Sequence, residues 1–552
     1  MSLKLLTLLD LVDEPRRRRL RRGLGKVAAS SVLLTIMIAL ISAMIEQEPG
    51  SWASYVLLLF FVLSVVAGYR LYLTGGTTTT AELEAAMNAL RVRITRKIAG
   101  AGLRSIERTG DLSAVYTRDL EQIGLIAGMI VFFVQMAFML IPSLLHVAIK
   151  SSFAFLSLVV VSALLLPRMY VTFQQSRERG AAASRAWSSF HDLLARSLDG
   201  FAQIKLDQRA SGALLADLRA RAELVREQRI GVDEATRSTL ARAYNLTSVA
   251  VGVVLFLVPL NVKLEVATIN ELALSVNLMT GPILFLTSQI HVFIGASVAH
   301  DNLIALEHRL DLGAAAAVPD GAEPPKSFER LCLAGVKFTY DGDEGGFTVG
   351  PLDLEIERGE VIFITGGNGS GKTTMMKLLS GLYLPDQGHL LLDGRLVDAT
   401  DLWRYQALFS AIFSDQHLFR KPYGLQAVDP ARMDALLARF DLRDATRFVD
   451  GRFTNIDLSS GQAKRLAMVI ALLEDRPIFL LDEWAANQDP ELRRYYYTEL
   501  IPELKARGKT ILAVSHDARF FHLADRRIDL KDGRLHIVAD AQATTEAAPS
   551  VG

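Results

Sequence analysis

Six apolar stretches long enough to cross a lipid bilayer stand out in the first 290 of the 552 residues. A helix of about 20 apolar residues spans the hydrocarbon core of a membrane and satisfies its own backbone hydrogen bonds there. The stretches run over residues 27–45, 52–73, 123–145, 147–166, 240–260 and 269–290. Half of all residues are hydrophobic and only 22% are charged, which fits a chain that is part membrane protein and part soluble protein. The sequence therefore predicts an all-α membrane domain of six helices.

The last two stretches are weaker because they carry Asn245, Asn277 and Gln289. They are either buried helices of a soluble domain or membrane helices that face a polar cavity. Since four strong spans already commit the chain to the bilayer, we favour the second interpretation. Gln135 and His291 are further polar residues within or beside the spans. These five side chains are candidates for contacting a transported substrate, and hydrogen bonding between helices is the alternative role.

Basic residues alternate between the connections. The segment before the first span carries the cluster at residues 16–22, and arginines recur over residues 91–118 and 168–237. The intervening connections contribute only Lys150 and Lys263. By the positive-inside rule, both termini are expected in the cytoplasm of a bacterial inner-membrane protein. The first apolar stretch is longer than the core of a signal peptide and lacks a clear cleavage site, so it is expected to remain as a membrane helix.

The two basic connections are long and contain few helix breakers, which predicts helical stalks that reach into the cytoplasm. Local breaks place docking turns near residues 110–113 and 211–213. An Ala/Pro/Gly-rich stretch follows the last span and indicates a linker. The predicted division is a cytoplasmic segment, a membrane domain, a linker, a second domain and a disordered tail, over residues 1–26, 27–311, 312–327, 328–540 and 541–552.

Two classes of site are excluded by composition. The net charge is zero, so no global field favours nucleic acid as a partner. Cys332 is the single cysteine, which excludes an intramolecular disulfide and a cysteine-based metal site. It lies in an apparent strand, where we expect it to act as a small buried hydrophobic residue.

The second half contains a phosphate-binding loop. Every fixed position of the pattern G-x-x-x-x-G-K-[ST] is matched by Gly366-Gly367-Asn368-Gly369-Ser370-Gly371-Lys372-Thr373. A buried strand is predicted before it, at residues 361–364, and a helix after it, at residues 375–382. Glycines let backbone N–H groups close around phosphate oxygens at a helix N-terminus. Lys372 is expected to neutralise the β- and γ-phosphates, and Thr373 to ligate Mg²⁺.

Two further strands supply acidic and imidazole groups at the same predicted sheet edge. The run at residues 478–481 ends in Asp482 and Glu483, and the run at residues 510–515 ends at His516. Asp482 is expected to hold Mg²⁺ through water, and Glu483 to polarise the attacking water as general base. His516 is expected to contact the γ-phosphate.

These motifs resemble those of the ABC transporter family. Leu458-Ser459-Ser460-Gly461-Gln462 is similar to the ABC signature, with Ser460 in place of the usual glycine. Asn487-Gln488-Asp489 stands where the family has its D-loop, and Tyr340 matches the aromatic residue that stacks on adenine. The resemblance covers nearly the whole chain, because spans, linker and nucleotide motifs follow in the family's order.

The resemblance implies an exporter-type membrane domain fused to an α/β P-loop nucleotide-binding domain. In this family the signature of one subunit completes the ATP site of the other, so a homodimer that hydrolyses ATP with Mg²⁺ is implied. The residues expected to bind ATP are Tyr340, Gly366, Asn368, Gly369, Ser370, Gly371, Lys372, Thr373, Thr374, Leu458, Ser459, Ser460, Gly461 and Gln462.

A narrower resemblance concerns the substrate. Residues 409–419, with the variant Phe413-Ser414-Asp415, and residues 482–490 are similar to the branch that exports cyclic peptides, including siderophore precursors and lipopeptides. Counting back from Leu418-Phe419 puts Ser414 where the family has a Mg²⁺-contacting glutamine, with Asp415 and Gln416 adjacent. Gln416 is our expected metal contact among these three.

The predicted function is therefore ATP-driven export of a cyclic or nonribosomal peptide by alternating access. A lipid or multidrug exporter of the same fold is the main alternative. Import on the exporter scaffold and an ATP-gated channel remain open as weaker alternatives, since the ATPase motifs do not encode direction.

Overall fold

The computed structural model describes residues 13–45, 47–48, 50–108, 112, 115–311, 325–340, 346–415, 417–425 and 428–538. The chain divides into two compact units. The first comprises Met1–Arg96 and Asp111–Glu307, and the second comprises Lys97–Gly110 and His308–Gly552. The second unit thus includes a segment from the first third of the chain, which the sequence did not predict. The proposed linker and tail lie almost wholly outside the described residues.

Long helices dominate the first 311 residues. In the described part of the chain, the α-helices there are α1 Glu14–Ile45, α2 Trp52–Gly100, α3 Leu103–Arg108, α4 Leu120–Lys150, α5 Ser152–Asp199, α6 Phe201–Leu206, α7 Gln208–Gly252, α8 Val258–Asn261, α9 Val266–Ser288 and α10 Ile290–Asp311. Single π-helical turns precede α4 at Val115–Asp119 and α8 at Val253–Leu257.

The predicted membrane spans coincide with helices. Five helical segments of the described residues are long and apolar enough to cross a membrane: Glu14–Ile41, Trp52–Gly100, Tyr116–Lys150, Gln208–Asn261 and Val266–Ser288. A shorter apolar helix at Ser152–Leu164 corresponds to the remaining prediction. The predicted fold class, with its helical membrane half, is confirmed.

The outer faces of these helices are apolar. Large hydrophobic side chains such as Phe60, Leu164 and Phe256 are exposed in the first unit. A water-soluble helix bundle would bury such groups, whereas a bundle in lipid turns them outward. Residues from α4, α5, α7 and α9 form an apolar core that includes Val147, Leu158 and Leu272.

One predicted span is wrong in its extent. Residues 147–166 were expected to form a single helix, but the chain breaks at Ser151, where the backbone is extended (φ −156°). The Ser151 hydroxyl accepts a hydrogen bond from the Ala154 N–H (3.2 Å) and so caps α5. A pattern of apolar residues does not reveal a helix cap, which is why the prediction missed this break. The first four residues of the predicted span belong to α4.

The docking turn predicted at residues 211–213 is also wrong. These residues lie inside α7, which begins at Gln208 because the Asp207 carboxylate accepts hydrogen bonds from Arg209 N–H and Ala210 N–H. A glycine costs a helix only about 1 kcal/mol, which a helix of this length tolerates. Of the turn predicted at residues 110–113, only Leu112 lies within the described residues, and α3 ends just before it.

The second unit contains two larger sheets. Its strands are β1 Arg330–Thr339, β2 Thr348–Glu357, β3 Val361–Thr365, β4 Gln387–Leu392, β5 Arg395–Leu396, β6 Phe409–Ile412, β7 Phe448–Val449, β8 Arg452–Phe453, β9 Ile478–Asp482, β10 Thr510–Val514, β11 Arg526–Lys531 and β12 Arg534–Val538. An antiparallel sheet has the order β2-β1-β4-β5, and a six-stranded sheet has the order β12-β11-β3-β10-β9-β6.

The six-stranded sheet brings the nucleotide motifs to one edge. Strands β11, β3, β10, β9 and β6 run parallel, and Val514 pairs with both Ile364 and Asp482. The carboxyl ends of these strands therefore lie side by side, as they do wherever an open α/β sheet binds a ligand. Both faces of the central strands are buried, which explains their continuous apolar sequences.

Helices cover the six-stranded sheet. They are α11 Lys372–Leu379, α12 Leu402–Gln406, α13 Pro430–Arg439, α14 Ser460–Glu474, α15 Pro490–Tyr495 and α16 Ile501–Ala506. A 3₁₀ turn at Trp484–Asn487 follows β9. Cys332, expected to be buried, is a half-buried free thiol in β1, and partial burial raises its pKa.

Candidate functional site

The phosphate-binding loop joins β3 to α11 through left-handed glycines. Gly366, Gly369 and Gly371 have φ of 143°, 76° and 99°. A Cβ on Gly366 would lie 2.3 Å from the Leu530 carbonyl oxygen, and one on Gly371 would lie 2.8 Å from a Val349 methyl. Only glycine fits at these two positions, for reasons of both conformation and space.

Polar groups of this loop fit an anionic ligand. The Lys372 ammonium donates to the carbonyl oxygens of Gly366 (3.0 Å) and Gly367 (2.8 Å), so it is held against the loop. The Ser370 hydroxyl is buried and has no hydrogen-bond partner among the described residues. The first N–H groups of α11 lack partners within their own helix, as at any helix N-terminus. A triphosphate would satisfy these groups together.

Three oxygen ligands of the kind that Mg²⁺ prefers meet beside the loop. Thr373 donates to Oδ2 of Asp482 (2.9 Å), and Ser414 donates to the same oxygen (3.0 Å). Asp482 is only 1% exposed. Two hydroxyls and a buried carboxylate suit a hard divalent cation. Gln416, the expected metal contact, lies outside the described residues, whereas the structure brings Ser414 to the site.

Glu483 and His516 face each other across neighbouring strands. The His516 Nε2 lies 3.2 Å from Oε1 of Glu483. Glu483 follows β9 in a left-handed conformation (φ 51°, ψ 38°), which is uncommon for a residue with a side chain. A cavity of about 290 Å³ borders both side chains. A carboxylate and an imidazole within hydrogen-bond distance can together hold and deprotonate a water molecule.

Tyr340 directly follows β1 and keeps part of its ring exposed. Its hydroxyl lies 3.0 Å from Oγ1 of Thr374, and its ring meets the edges of Phe338 and Tyr383. The exposed part can stack on a flat heterocycle. Thr374, an expected nucleotide contact, is buried, and its hydroxyl is hydrogen-bonded to the Tyr340 hydroxyl.

The signature-like motif forms the start of α14. Ser459 and Gln462 close a capping box: the Ser459 hydroxyl accepts from the Gln462 N–H (3.3 Å), and the Gln462 side chain accepts from the Ser459 N–H (3.1 Å). Ser460 is exposed on the first turn, and Leu458 precedes the cap half-buried. A Cβ on Gly461 would lie 2.7 Å from the Asn487 carbonyl oxygen, so glycine is required there.

The short helix α3 belongs to the second unit, called the nucleotide unit below because it carries the phosphate-binding loop, and it lies just before the docking turn predicted near residues 110–113. Arg104 pairs with Asp386 (2.5 Å) and covers the Phe338 ring at 4.6 Å. Glu107 accepts from Lys377 (3.1 Å) and from the Tyr383 hydroxyl (2.5 Å). In the sequence, the opposite charges of Arg104 and Glu107, three residues apart, were the feature that could have indicated these ion pairs.

Tyr383 joins α3 to the aromatic group around Tyr340. Its ring stacks on Phe338 at 4.6 Å, between centroids. Burial, reinforced by hydrogen bonds to Glu107 and Tyr340, raises the pKa of Tyr383, so its hydroxyl stays protonated and donates to Glu107. A continuous set of contacts therefore runs from α3 to the aromatic ring expected to hold adenine.

Four of the five polar candidates of the membrane half, all but His291, have side chains within the described part of the structure. A cavity of about 380 Å³ between α4, α5, α7 and α9 is lined by apolar residues such as Leu144, Leu158 and Leu246, with Ser162 and Thr247, and by none of these four.

These four side chains have separate environments. Asn245 and Asn277 are exposed, Gln289 donates to Ser288, and Gln135 Oε1 is buried without a partner among the described residues. The His291 side chain lies outside the described part. A role for these residues in substrate binding stays a prediction.

A buried ion pair is a feature of the membrane half that the sequence did not predict. Glu271 is 5% exposed, and its carboxylate lies 2.8 Å from the Lys150 ammonium and 3.9 Å from His146 Nε2. In the sequence, Lys150, the lone positive charge near the third connection, was the feature that could have indicated this ion pair. A buried carboxylate in this half requires such a partner, because desolvation otherwise makes it too costly.

Comparison with known proteins gives a consistent result. The family model described as ABC transporter matches residues 349–486. The ATP-binding protein SyrD of Pseudomonas syringae pv. syringae is 33% identical over 498 residues, which cover 83% of this chain and 84% of SyrD. A match of that length must include residues of both units.

Other relatives match over a smaller share. An ATP-dependent lipid A-core flippase of Cupriavidus metallidurans is 34% identical over 37% of this chain and 36% of its own length. The macrolide export ATP-binding/permease protein MacB 2 of Aeromonas hydrophila is 35% identical over 37% of this chain and 33% of its own. A solved structure, described as a bacterial Atm1-family ABC exporter with ATP bound, superposes with a TM-score of 0.75, 19% identity and 95% coverage of both chains.

Proposed function

The chain belongs to the family of ABC exporters, and from that membership we propose that two copies of it form a homodimer that exports a cyclic or nonribosomal peptide from the bacterial cytoplasm. ATP hydrolysis coupled to transport is the activity of the family. An ATP-gated channel is thereby set aside. The proposal concerns the substrate, the pairing of two copies, and the role of each residue in the site.

The resemblance of residues 409–419 and 482–490 to cyclic-peptide exporters is the observation that carries the peptide assignment, and the length of the match to SyrD shows how far similarity to one relative extends along the chain. That match covers 83% of the chain, whereas the matches to the flippase and the macrolide exporter each cover 37%. Substrate selection requires the membrane half, so similarity that extends through it bears on the substrate more than similarity over a third of the chain.

Pairing of two copies follows from the parts that each chain offers. The phosphate-binding loop supplies one side of an ATP site. The exposed Ser460 stands at the N-terminus of α14, where a helix favours an anion. In the proposed dimer, Lys372 and Thr373 of one chain face Ser460 and Gly461 of the other, and ATP lies between them.

The chemistry is assigned to residues at the sheet edge. Lys372 neutralises the β- and γ-phosphates, and Thr373, Asp482 and Ser414 would hold Mg²⁺. The ion, when bound, withdraws charge from the phosphates. Glu483 accepts a proton from the attacking water, and His516 holds the Glu483 carboxylate and the γ-phosphate in position.

Transport requires that ATP favour one conformation of the dimer. ATP can shift the equilibrium only by the difference in its affinity for the two conformations. Closure of the nucleotide units around ATP would turn the membrane cavity outward, and hydrolysis would reset it. The contacts of Arg104 and Glu107 with the rest of the nucleotide unit provide a route for this coupling.

Location and topology follow from the basic connections. Arginine-rich segments before the first span and in both long connections favour a cytoplasmic location for these parts. We therefore place the protein in the inner membrane, with both termini in the cytoplasm.

A lipid or multidrug exporter is the second candidate function. The similarity to the lipid A-core flippase and the apolar lining of the 380 Å³ cavity favour it. Import is a third possibility, because the ATPase site does not encode direction.

Transport by inverted membrane vesicles tests these alternatives. The vesicles receive ATP and a panel of labelled cyclic peptides, lipids and drugs, and vesicles with Glu483→Gln are the control. ATP-dependent accumulation of a cyclic peptide, absent from the control, is expected. Accumulation of lipids or drugs alone would overturn the peptide assignment. Uptake only by right-side-out vesicles would overturn the direction.

A further inference from the structure

Lys464 is a buried cation that the proposed chemistry does not use. It lies in α14, four residues after Ser460, and is 5% exposed. Its ammonium donates to the backbone carbonyl oxygen of Glu483 at 2.6 Å. A lysine is seldom buried unless its charge is compensated. The contact with Glu483 therefore indicates that the buried ammonium has a specific role.

The backbone that Lys464 contacts is in an uncommon conformation. Glu483 has positive φ although it carries a side chain, and such residues persist only where the surroundings hold them. The ammonium makes a charge-assisted hydrogen bond, which is stronger than a neutral one. In return, the Trp484 indole N–H donates to the Lys464 carbonyl oxygen at 2.8 Å. The helix and the turn that carries Glu483 are therefore joined at two points.

Further contacts tie the start of α14 to the same turn. The Gln488 side chain donates to the Gly461 carbonyl oxygen at 3.2 Å. Gly461 also packs directly against the Asn487 backbone, where a Cβ would clash. Residues 461–464 and 483–488 thus form one packed group, and a shift of the helix must move the turn with it.

The charge of Lys464 also acts on the acidic side chains. Burial lowers the pKa of Lys464, whereas the nearby carboxylates of Glu483 and Asp482 oppose that shift. The ammonium is thus close enough to influence both groups that the proposed hydrolysis requires.

We propose that Lys464 is a positioning residue that sets the backbone of Glu483 according to whether Ser460, on the same helix, is engaged by nucleotide. This inference rests on the proposed homodimer. There, Glu483 acts on the ATP bound by its own chain, while Ser460 contacts the ATP bound by its partner. Lys464 therefore links the two ATP sites through a single helix, and binding at one site improves the geometry for hydrolysis at the other.

The test compares three variants of the full-length dimer in detergent or nanodiscs. Lys464→Met removes the ammonium, Lys464→Arg keeps a charged donor, and Arg465→Met is the matched control. Arg465 is the next cation of α14, but it donates to the Phe440 carbonyl oxygen (3.3 Å) and pairs with Asp441 (3.5 Å), away from Glu483. The measurements are kcat, KM and the Hill coefficient for ATP, with thermal melting as a check of folding.

We expect Lys464→Met to lower kcat about 10- to 100-fold, as small misplacements of a reacting group do. KM should change little, and the Hill coefficient should fall toward unity. Lys464→Arg should recover much of kcat and of the cooperativity. In the Glu483→Gln background, Lys464→Met should cause little further loss, because the two changes affect one function.

Several outcomes overturn the inference. They are an unchanged kcat and Hill coefficient in Lys464→Met, an equal loss in Arg465→Met, or a full additional loss in the Glu483→Gln background. If Lys464→Met does not fold, the same measurements on Lys464→Arg and Lys464→Gln decide. Lys372→Ala separates this inference from the proposed function. Full turnover in Lys372→Ala would contradict the proposed ATP site itself. If Lys372→Ala is inactive and Lys464→Met is unaffected, only the proposed link between the two ATP sites is rejected.

Discussion

The Ser414 hydroxyl lies 3.0 Å from Oδ2 of Asp482, the oxygen that also accepts the hydrogen bond from Thr373. Ser414 occupies the position where related ATPases are expected to carry a glutamine, so the shorter side chain already reaches the carboxylate proposed to bind the metal. We expect Ser414→Ala to weaken Mn²⁺ binding to the ATP-loaded protein about tenfold, as loss of a supporting contact does.

Electron paramagnetic resonance of Mn²⁺, used in place of Mg²⁺, measures this affinity without requiring turnover. Gln416→Ala is the matched control and should bind Mn²⁺ as the wild type does. A loss of affinity in Gln416→Ala, with Ser414→Ala unaffected, would return the metal contact to Gln416.

Glu483→Gln should bind ATP and stall as a closed dimer. The amide keeps the shape of the carboxylate but cannot accept the proton from water, so kcat should fall about 10²- to 10⁴-fold. Size-exclusion chromatography and retention of labelled ATP measure the two properties. His516→Ala should also lower kcat, and combining both changes should cost less than the product of their separate effects. Wild-type turnover in Glu483→Gln would refute the general-base role.

Contacts of α3 should couple substrate to hydrolysis. Arg104→Ala and Glu107→Gln remove the ion pairs to Asp386 and Lys377 but leave the phosphate-binding residues intact. We expect basal ATPase to persist, while its stimulation by substrate falls at least severalfold.

A double-mutant cycle of Glu107→Ala with Tyr383→Phe measures the hydrogen bond between these side chains. The matched control is Arg226→Ala, whose partner Glu223 lies on the same helix. Stimulation that survives in both α3 variants would show that coupling runs elsewhere.

The shared ATP site makes a distinctive prediction for mixed dimers. A dimer of one Lys372→Ala chain and one Ser460→Arg chain keeps one intact site, because both defects fall in the same composite site. A dimer of one wild-type chain and one chain with both substitutions has a defect in each site. Trapped ATP per dimer, measured after affinity purification with two tags, should therefore be near one in the first case and near zero in the second. Equal values would contradict the shared site.

The sequence predicted those parts of the site that depend on local spacing. Asp482 ends a buried apolar strand and Lys372 and His516 come after such strands, and parallel strands bring their carboxyl ends together. The motif itself likewise predicted the glycines of the loop, which adopt left-handed backbone conformations.

Contacts between distant segments could not be predicted in this way. The capping by Ser151 and Asp207 was visible only as single polar residues within long helical patterns. The bond from Lys464 to Glu483 joins residues 19 positions apart through a carbonyl oxygen, which any residue type carries. The docking of Arg104 on Phe338 depends on how the units fold, and a pattern of apolar spans contains no information about it.

Residues 97–108 fold with the nucleotide unit although the segment Asp111–Glu307 separates them from the rest of it in the chain. A fragment that begins at residue 328 would lack Arg104 and Glu107, leaving Asp386 and Lys377 without these ion-pair partners and the Phe338 ring without its cation. The ATPase half therefore cannot be transferred to a foreign membrane half as the C-terminal residues alone. A chimaera between relatives must exchange this early segment together with the C-terminal half, or it inherits a mismatched surface.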